Sequence, residues 1–216
     1  MNSLGSSERI FRAYFSLQAW LSVWKHAFSS LAREVGGVLV GSEHYDDAGP
    51  YIDISASLRA ESALEKRASL TFTHQTWQEL SSRVENEYTG KSIIGWYHTH
   101  PGMGTFLSSH DCFIHSNFFS GPLYVALVVD PADRKHKLFR LAGKDYLESN
   151  RLLVYINVEN GGEMETLSEY CYDRASRDRA REAFKKFCNF YGTLHHFDRV
   201  AVIVDNRNNI LLPETE

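Results

Sequence analysis

Apolar residues in the first part of the chain recur with the period of a helix. Between residues 10 and 34 they lie three and four positions apart, which predicts one helix with a break. The predicted inner side carries Trp20, Val23, Trp24, Ala27, Leu31 and Glu34. Residues 76–88 show the same amphipathic period and predict a second helix. A third helix is predicted over residues 108–119, because a serine can cap its first turn.

Short runs of β-branched residues, bounded by glycine, proline or turn residues, predict strands between these helices. The predicted strands are residues 35–41, 51–54, 70–73, 92–97, 123–129 and 137–141, and the last two are expected to pair as a hairpin. Residues 57–69 are polar and irregular, which predicts a loop. Helices and strands mixed in this order predict an α/β sandwich.

The last third of the chain has a different pattern. Its predicted elements are a strand at 151–159, a charged helix at 174–190 and a small hairpin made of residues 199–204 and 209–212. We therefore divide the chain into a main domain, residues 10–145, and a small C-terminal α+β extension of unassigned role, residues 146–216.

Composition and charge exclude several functional classes. The 216 residues carry a net charge of -4, without the excess of Lys and Arg that nucleic-acid binding requires. No apolar run reaches the length of a membrane-spanning helix, and the first ten residues lack the pattern of a signal peptide. The 3 cysteines are too scattered for a disulfide framework. These features predict a cytoplasmic protein that binds neither nucleic acid nor membrane.

The most informative segment is GWYHTHPGMGTFLSSHD, residues 95–111. His98 and His100 are two positions apart at the end of a predicted strand, so both imidazoles leave the same face. Ser108 and Asp111 are three positions apart at the start of a predicted helix, so they also share a face. Glycines in the intervening loop allow it to fold the helix back toward the strand.

Two imidazoles and one carboxylate make a set of three metal ligands. Such a set leaves the fourth tetrahedral position of zinc open for water, which distinguishes a catalytic site from a structural one. Zinc lowers the pKa of bound water to about 7, and a general base is still needed to take the proton. Glu34 is the candidate base, because it lies where the first predicted helix meets the glycine-rich strand. Ser108 is the candidate hydrogen-bond donor to an oxyanion.

These residues resemble a known family. His-x-His-Pro, followed by Ser and Asp three positions apart and preceded by Glu before Gly-Gly-x-Leu-x-Gly, is similar to the JAMM metalloproteases of the MPN superfamily. The resemblance covers about residues 15–142 and implies a cytidine-deaminase-like sandwich, in which helices flank a mixed sheet. It implies that one zinc ion per chain is held by His98, His100 and Asp111, that Glu34 activates water, and that Ser108 supports the intermediate.

The resemblance also implies an activity. Family members hydrolyse peptide or isopeptide bonds, usually at the C-terminal tail of a ubiquitin-like protein. Two alternatives stay open: a catalytically inactive MPN scaffold that binds a partner protein, and a general small-peptide metallopeptidase. The chain lacks the long helical tails of eukaryotic complex subunits, which favours a stand-alone bacterial member. Bacterial relatives lie beside activating- and conjugating-enzyme homologues, including in antiphage defence operons, so these enzymes are candidate partners and antiviral defence is a candidate role.

Neighbouring residues are expected to have simpler roles. His110 and His115 flank Asp111 at different helical angles, so neither is expected to be a ligand. Trp96 and Tyr97 are expected to pack in the core, with lining of a substrate groove as the alternative for one of them.

Overall fold

A computed structural model of the chain describes residues 12–47, 49–61, 64–66, 69–149, 151–157, 199–205 and 210–211. The helices in these ranges are α1 (Leu17–Ala27), α2 (His74–Glu87) and α3 (Ser109–Phe118). The strands are β1 (Ala13–Ser16), β2 (Gly36–Asp46), β3 (Gly49–Arg59), β4 (Leu64–Lys66), β5 (Ser69–Thr71), β6 (Ser92–Thr99), β7 (Val125–Asp130), β8 (Lys135–Ala142), β9 (Asp145–Ser149), β10 (Arg151–Asn157), β11 (Arg199–Asp205) and β12 (Ile210–Leu211).

Ten of the described strands form one mixed sheet, in the order β12-β11-β10-β1-β3-β2-β6-β7-β8-β9, and β4 and β5 form a separate hairpin. β1 is parallel to both of its neighbours, β3 and β10. β6 is parallel to β7, and β2 is antiparallel to β3 and β6. β1 therefore connects the first strands of the chain to the last ones.

Helices cover both faces of the large sheet, as predicted. α1 packs Trp20 and Trp24 against one face, and α2 and α3 pack Leu80 and Ile114 against the other. The side chains of β7 alternate between these two clusters, with Val125, Leu127 and Val129 in the first and Ala126 and Val128 in the second. Each large apolar side chain buried in this way contributes roughly 1.5–3 kcal/mol. The predicted α/β fold with a mixed sheet is thus confirmed.

The first helix is shorter than predicted, and the helix proposed for residues 10–34 is wrong at both ends. Its beginning is the strand β1, and the hydroxyl of Ser16 caps α1. The helix ends at Ala27, where the hydroxyl of Ser29 donates to a main-chain carbonyl of the last turn. Such local bonds offer the backbone an alternative to helix. Leu31, predicted on the inner side, is 59% exposed.

The remaining elements follow the predicted order with two differences. α2 and α3 confirm the helices predicted at 76–88 and 108–119, and β7 pairs with β8 as the expected hairpin. The loop predicted at 57–69 is wrong, because β3 continues to Arg59 and the β4–β5 hairpin follows. β9 was not predicted.

The C-terminal strands extend the large sheet. β10, β11 and β12 confirm the predicted strand and hairpin, and they pair with the sheet through β1. The helix predicted at 174–190 lies outside the described residues. Within the part of the chain that the structure describes, no helix combines the length and the apolar character of a membrane span.

Candidate metal centre

Two histidines meet at the end of β6. His98 is on the strand and His100 follows its last residue, and the two side chains are 0% and 3% exposed. Their Nε2 atoms lie 3.1 Å apart. The main chain of His100 is fixed by a hydrogen bond of 2.8 Å from its N–H to the carbonyl of Val129 on β7. Alternation along the strand therefore brings both imidazoles to one buried point, as the spacing predicted.

The first turn of α3 brings a carboxylate to the same point. The hydroxyl of Ser108 accepts the N–H of Asp111, and Oδ2 of Asp111 accepts the N–H of Ser108 at 2.7 Å, which together form a capping box. That Oδ2 atom lies 3.4 Å from Nε2 of His98 and 3.7 Å from Nε2 of His100. The structure thus holds the carboxylate by the helix cap and aims it at both imidazoles.

The protonation of Asp111 reflects these contacts. Burial alone would raise the pKa of its carboxyl group, but the contact with His98 and the hydrogen bonds from Ser108 outweigh burial and lower the pKa well below its usual range. Asp111 is therefore a carboxylate at neutral pH. Its oxygen carries the negative charge that a divalent cation would neutralise.

Glu34 reaches the site from the segment that precedes β2. Its side chain is 3% exposed, and Oε1 lies 3.7 Å from Nε2 of His100. The next residue, Val35, donates its N–H to the hydroxyl of Thr99 at 2.9 Å and accepts the N–H of Thr99 at 2.9 Å. These two bonds hold the segment beside the end of β6. They therefore keep a second carboxylate, that of Glu34, next to the histidines.

The donor set fits a metal ion. One ligand atom from each of His98, His100 and Asp111 lies within 4.8 Å of the others, and all three residues are buried. Burial, and then the neighbouring His98, lower the pKa of His100 to about 4, so His100 is neutral at pH 7. Nδ1 of His100 lies 3.2 Å from the carbonyl oxygen of Gly104. That carbonyl can only accept, so the proton is on Nδ1 and the lone pair of Nε2 faces the cluster, as a metal ligand requires.

His98 is held by an aromatic ring. The indole of Trp96 stacks on its imidazole with the ring centres 4.5 Å apart and 13° between the planes. Nε1 of Trp96 donates to Nδ1 of His115 at 3.1 Å. Trp96 and Tyr97 are both 0% exposed, so neither lines a groove and both pack in the core.

A buried aspartate holds the loop that leads from His100 to α3. Asp130 ends β7 and is 0% exposed. Its carboxylate accepts four backbone N–H groups, those of Gly102 at 2.8 Å, Gly104 at 2.9 Å, Ala132 at 3.0 Å and Asp133 at 3.2 Å. Asp130 was not predicted as a functional residue, although Asp-Pro directly after a strongly apolar strand was an available signal for a turn with structural bonds.

Residues 14–120 match the protein family described as "JAB1/Mov34/MPN/PAD-1 ubiquitin protease". The chain belongs to this family. The match spans β1 to the residues after α3 and includes every member of the buried cluster.

Parts of three curated proteins are similar in sequence to this chain. The chain is 34% identical over 104 residues to the NAD(+) hydrolase TcpA of a Theionarchaea archaeon, covering 48% of this chain and 29% of that protein. It is 34% identical over 128 residues to COP9 signalosome complex subunit 5 of Eremothecium gossypii, covering 57% and 29%. It is 26% identical over 141 residues to the ubiquitin carboxyl-terminal hydrolase RPN11 of Saccharomyces cerevisiae, covering 65% and 43%. The chain therefore spans less than half the length of these relatives.

The MPN domain brings the five predicted site residues together from three places. His98 and His100 come from the end of β6, Ser108 and Asp111 from the start of α3, and Glu34 from the entry to β2. Glu34 was predicted to lie at the end of the first helix. It lies outside that helix, because α1 ends at Ala27. His110 is exposed and His115 bonds to Trp96, so neither joins the cluster.

An apolar rim lies beside the MPN site. The ring of Phe106 is centred 4.7 Å from that of His100, and the side chain is 47% exposed. Met103, in the same loop, is 42% exposed. An exposed aromatic ring therefore lies against the ring of His100.

Proposed function

We propose that this chain is a zinc metalloprotease that hydrolyses a peptide or isopeptide bond at the C-terminal tail of a ubiquitin-like protein, in deconjugation or precursor processing. The observation that carries the proposal is the convergence of two imidazoles and two carboxylates on one buried point within an MPN domain. The name of the yeast relative, a ubiquitin carboxyl-terminal hydrolase, supports the same class of reaction.

One zinc ion per chain would be held by Nε2 of His98, Nε2 of His100 and Oδ2 of Asp111. Bound zinc would act as a Lewis acid and lower the pKa of a coordinated water toward 7. Two nitrogen donors and one oxygen donor are a ligand set typical of catalytic zinc. The capping box and the Gly104 carbonyl orient two of these ligands before any metal binds.

Glu34 is the proposed general base. It would accept the proton of the attacking water and deliver it to the nitrogen of the leaving amine. Its position supports this role, because Oε1 of Glu34 lies near His100. Glu34 itself comes from a different segment of the chain than the three ligand residues. The Val35–Thr99 bonds fix its backbone, so the carboxylate needs little reorganisation during proton transfer.

Ser108 is the proposed oxyanion donor. Its oxygen accepts the N–H of Asp111, so this cap does not use the hydroxyl hydrogen. That hydrogen can be donated to the negative oxygen that develops on the scissile carbonyl. Its backbone N–H bonds to Asp111, which keeps the residue next to the ligands.

The substrate tail is proposed to lie between the β4–β5 hairpin and the loop at residues 101–107. The base of the hairpin is close to the site, because Ala60 donates its N–H to the carbonyl of Gly36, and Gly36 is the β2 partner of His98. Among the described strands, β4 and β5 pair only with each other, so an extended chain can add to either one. Phe106 narrows the approach and favours small residues beside the scissile bond.

Other parts of the proposal rest on the sequence alone. They are the division into a catalytic domain at 10–145 and an extension at 146–216, a cytoplasmic location, a bacterial origin, activating- and conjugating-enzyme homologues as partners, and antiviral defence as a role. The inactive scaffold and the general peptidase remain the competing functions.

The test is a cleavage panel. Ubiquitin-like proteins with extended or conjugated tails would be compared with unstructured peptides, with and without a chelator, and with His98→Ala as the inactive control. The proposal expects chelator-sensitive cleavage at the end of a ubiquitin-like tail and little cleavage of free peptides. Equal cleavage of unrelated peptides would indicate a general peptidase. Zinc binding without any cleavage would favour the scaffold.

A further inference from the structure

Asp130 connects the end of β7 to the loop that follows His100. Its two carboxylate oxygens accept hydrogen bonds from different donors. Oδ1 accepts the N–H groups of Gly102, Ala132 and Asp133, whereas Oδ2 accepts only that of Gly104. Since the residue is fully buried, water cannot replace these bonds without opening the turn.

The Gly104 end of this connection continues to the metal cluster. The N–H of Gly104 is bonded to Oδ2 of Asp130 at 2.9 Å, and the carbonyl of Gly104 accepts the proton on Nδ1 of His100 at 3.2 Å. Gly104 has φ = +90°, a conformation that side-chain-bearing residues rarely adopt. The direction of its carbonyl therefore depends on a backbone shape that Asp130 stabilises.

The two histidines differ in this respect. His98 is stacked on Trp96, and its buried Nδ1 atom has no hydrogen-bond partner among the residues that the structure describes. With the lone pair of His100 Nε2 facing the cluster, the contact of 3.1 Å between the two Nε2 atoms places the proton of His98 on its own Nε2, the atom that would bind the metal. His100 is therefore the histidine whose hydrogen bond selects the metal-binding tautomer in the metal-free protein.

We propose that Asp130 is a positioning residue for His100, acting through the backbone of Gly104 to keep the proton on Nδ1 and the lone pair of Nε2 directed at the cluster. The value of this arrangement for catalysis rests on the proposed zinc site, but the arrangement itself belongs to the metal-free protein. A ligand already in its binding tautomer and orientation pays no reorganisation cost when the metal arrives.

Asp130→Asn tests the connection, because the two residues have the same shape. The amide has one oxygen, which is expected to remain with the three donors on the Oδ1 side. Its NH2 group then faces the N–H of Gly104, and a donor faces a donor. The loss is thus confined to the link with Gly104. Asp133→Asn is the matched control, because the Asp133 side chain is exposed and pairs with Lys135, while its backbone N–H is unchanged.

The first measurement is made without metal. Long-range ¹H–¹⁵N correlation spectra of the histidine rings report which nitrogen carries the proton. We expect His100 in the unaltered chain and in Asp133→Asn to be protonated on Nδ1, and His100 in Asp130→Asn to become a mixture of tautomers. The second measurement is zinc affinity by competition with a chelator, where Asp130→Asn should weaken binding by about 10- to 100-fold.

A second variant covers the case in which Asp130→Asn does not fold. Gly104→Ala keeps the aspartate and adds a methyl group into open space, but it strains the positive φ and turns the carbonyl. It should show the same mixed tautomer and weaker zinc binding. An unchanged His100 tautomer in either folded variant would overturn the inference. Failure of the unaltered chain to bind zinc would instead count against the proposed function, because the tautomer measurement needs no metal.

Discussion

Ser108 and Asp111 exchange hydrogen bonds across the first turn of α3, each side chain accepting the other's backbone N–H. The same Oδ2 atom of Asp111 then faces the two histidines. The carboxylate of Asp111 is therefore both a part of the helix cap and a proposed metal ligand. A change to the cap is expected to affect stability and chemistry together, and the two effects can be measured separately.

Ser108→Ala should lower turnover by about a hundredfold, since one oxyanion donor is worth roughly 3 kcal/mol. It should also lower the free energy of unfolding by about 1 kcal/mol through loss of the cap. Turnover and denaturant unfolding are the two measurements. Ser109→Ala, the next residue and exposed, is the control and should change neither. A change confined to KM would show uniform substrate binding instead.

His98→Ala and Asp111→Ala should each abolish stoichiometric zinc binding, because three protein ligands leave no redundancy. The measurement is elemental analysis of protein dialysed against a limited amount of zinc. His110→Ala is the matched control, since His110 is exposed beside Asp111 but outside the cluster, and it should retain about one zinc per chain. Full occupancy in both cluster variants would remove the proposed site.

Glu34→Gln should keep zinc and the fold but lose turnover by about a hundredfold or more, because an amide cannot accept the proton of water. Glu87→Gln, an exposed residue of α2 paired with Arg83, is the control for a surface glutamate and should keep full activity. Zinc content, unfolding and cleavage rate are measured for both. Near-normal turnover of Glu34→Gln would exclude Glu34 as the base.

Phe106→Ala should widen the choice of residues accepted beside the scissile bond, because the exposed ring of Phe106 lies against His100. Tails with glycine and with bulkier residues at this position would be compared by their kcat/KM values. Phe113→Ala removes another exposed phenylalanine, on α3 and with 58% exposure, and should preserve the selectivity. If Phe106→Ala kept the same preference for the residue beside the scissile bond, another part of the protein would determine that preference.

Acid should destabilise the fold through His26. Nδ1 of this buried residue lies 2.8 Å from the hydroxyl of Tyr97. Burial, and then the charge of Arg59, lower the pKa of His26 from 6.5 to about 4. Between these values the unfolded chain binds more protons, so the free energy of unfolding is largest above about pH 6.5 and falls as the pH drops toward 4.

The measurement is urea unfolding in chelator at several pH values. His26→Gln should flatten the acid limb of the stability curve, since each pKa unit of difference corresponds to about 1.4 kcal/mol. His74→Gln, an exposed histidine at the start of α2, should leave that limb unchanged. An identical pH dependence in the unaltered chain and His26→Gln would contradict the role of this pair.

The cluster could be predicted because most of its residues lie close together in the sequence, at spacings that place them on one face of a strand or a helix. His98 and His100 share a face by strand alternation, and Ser108 and Asp111 form a motif that a helix start makes from four consecutive residues. These relationships need no knowledge of the rest of the fold. Glu34 was found by its place before the glycine-rich strand, although the helix assumed to carry it ends earlier.

The missed features depend on contacts between distant segments. Asp130 accepts two of its four hydrogen bonds from the backbone of the loop that follows β6, and the sequence pattern does not show which distant backbone groups a carboxylate will meet. β1 has only four residues, and its strand conformation comes from pairing with β3 and β10 on its two sides. Tertiary pairing there overrides a local pattern that favours helix.

The central place of β1 sets an order of assembly. Its β3 edge can be filled once residue 59 has been made, but its other edge waits for residue 157. At ribosomal rates of about 5–20 residues per second, that edge stays open for on the order of ten seconds. His98, His100, Asp111 and Asp130 are all made during this interval, and Glu34 is made before it. The proposed metal site can thus form on a nascent, incomplete sheet. While the parallel edge of β1 is unpaired, the chain is most open to wrong association.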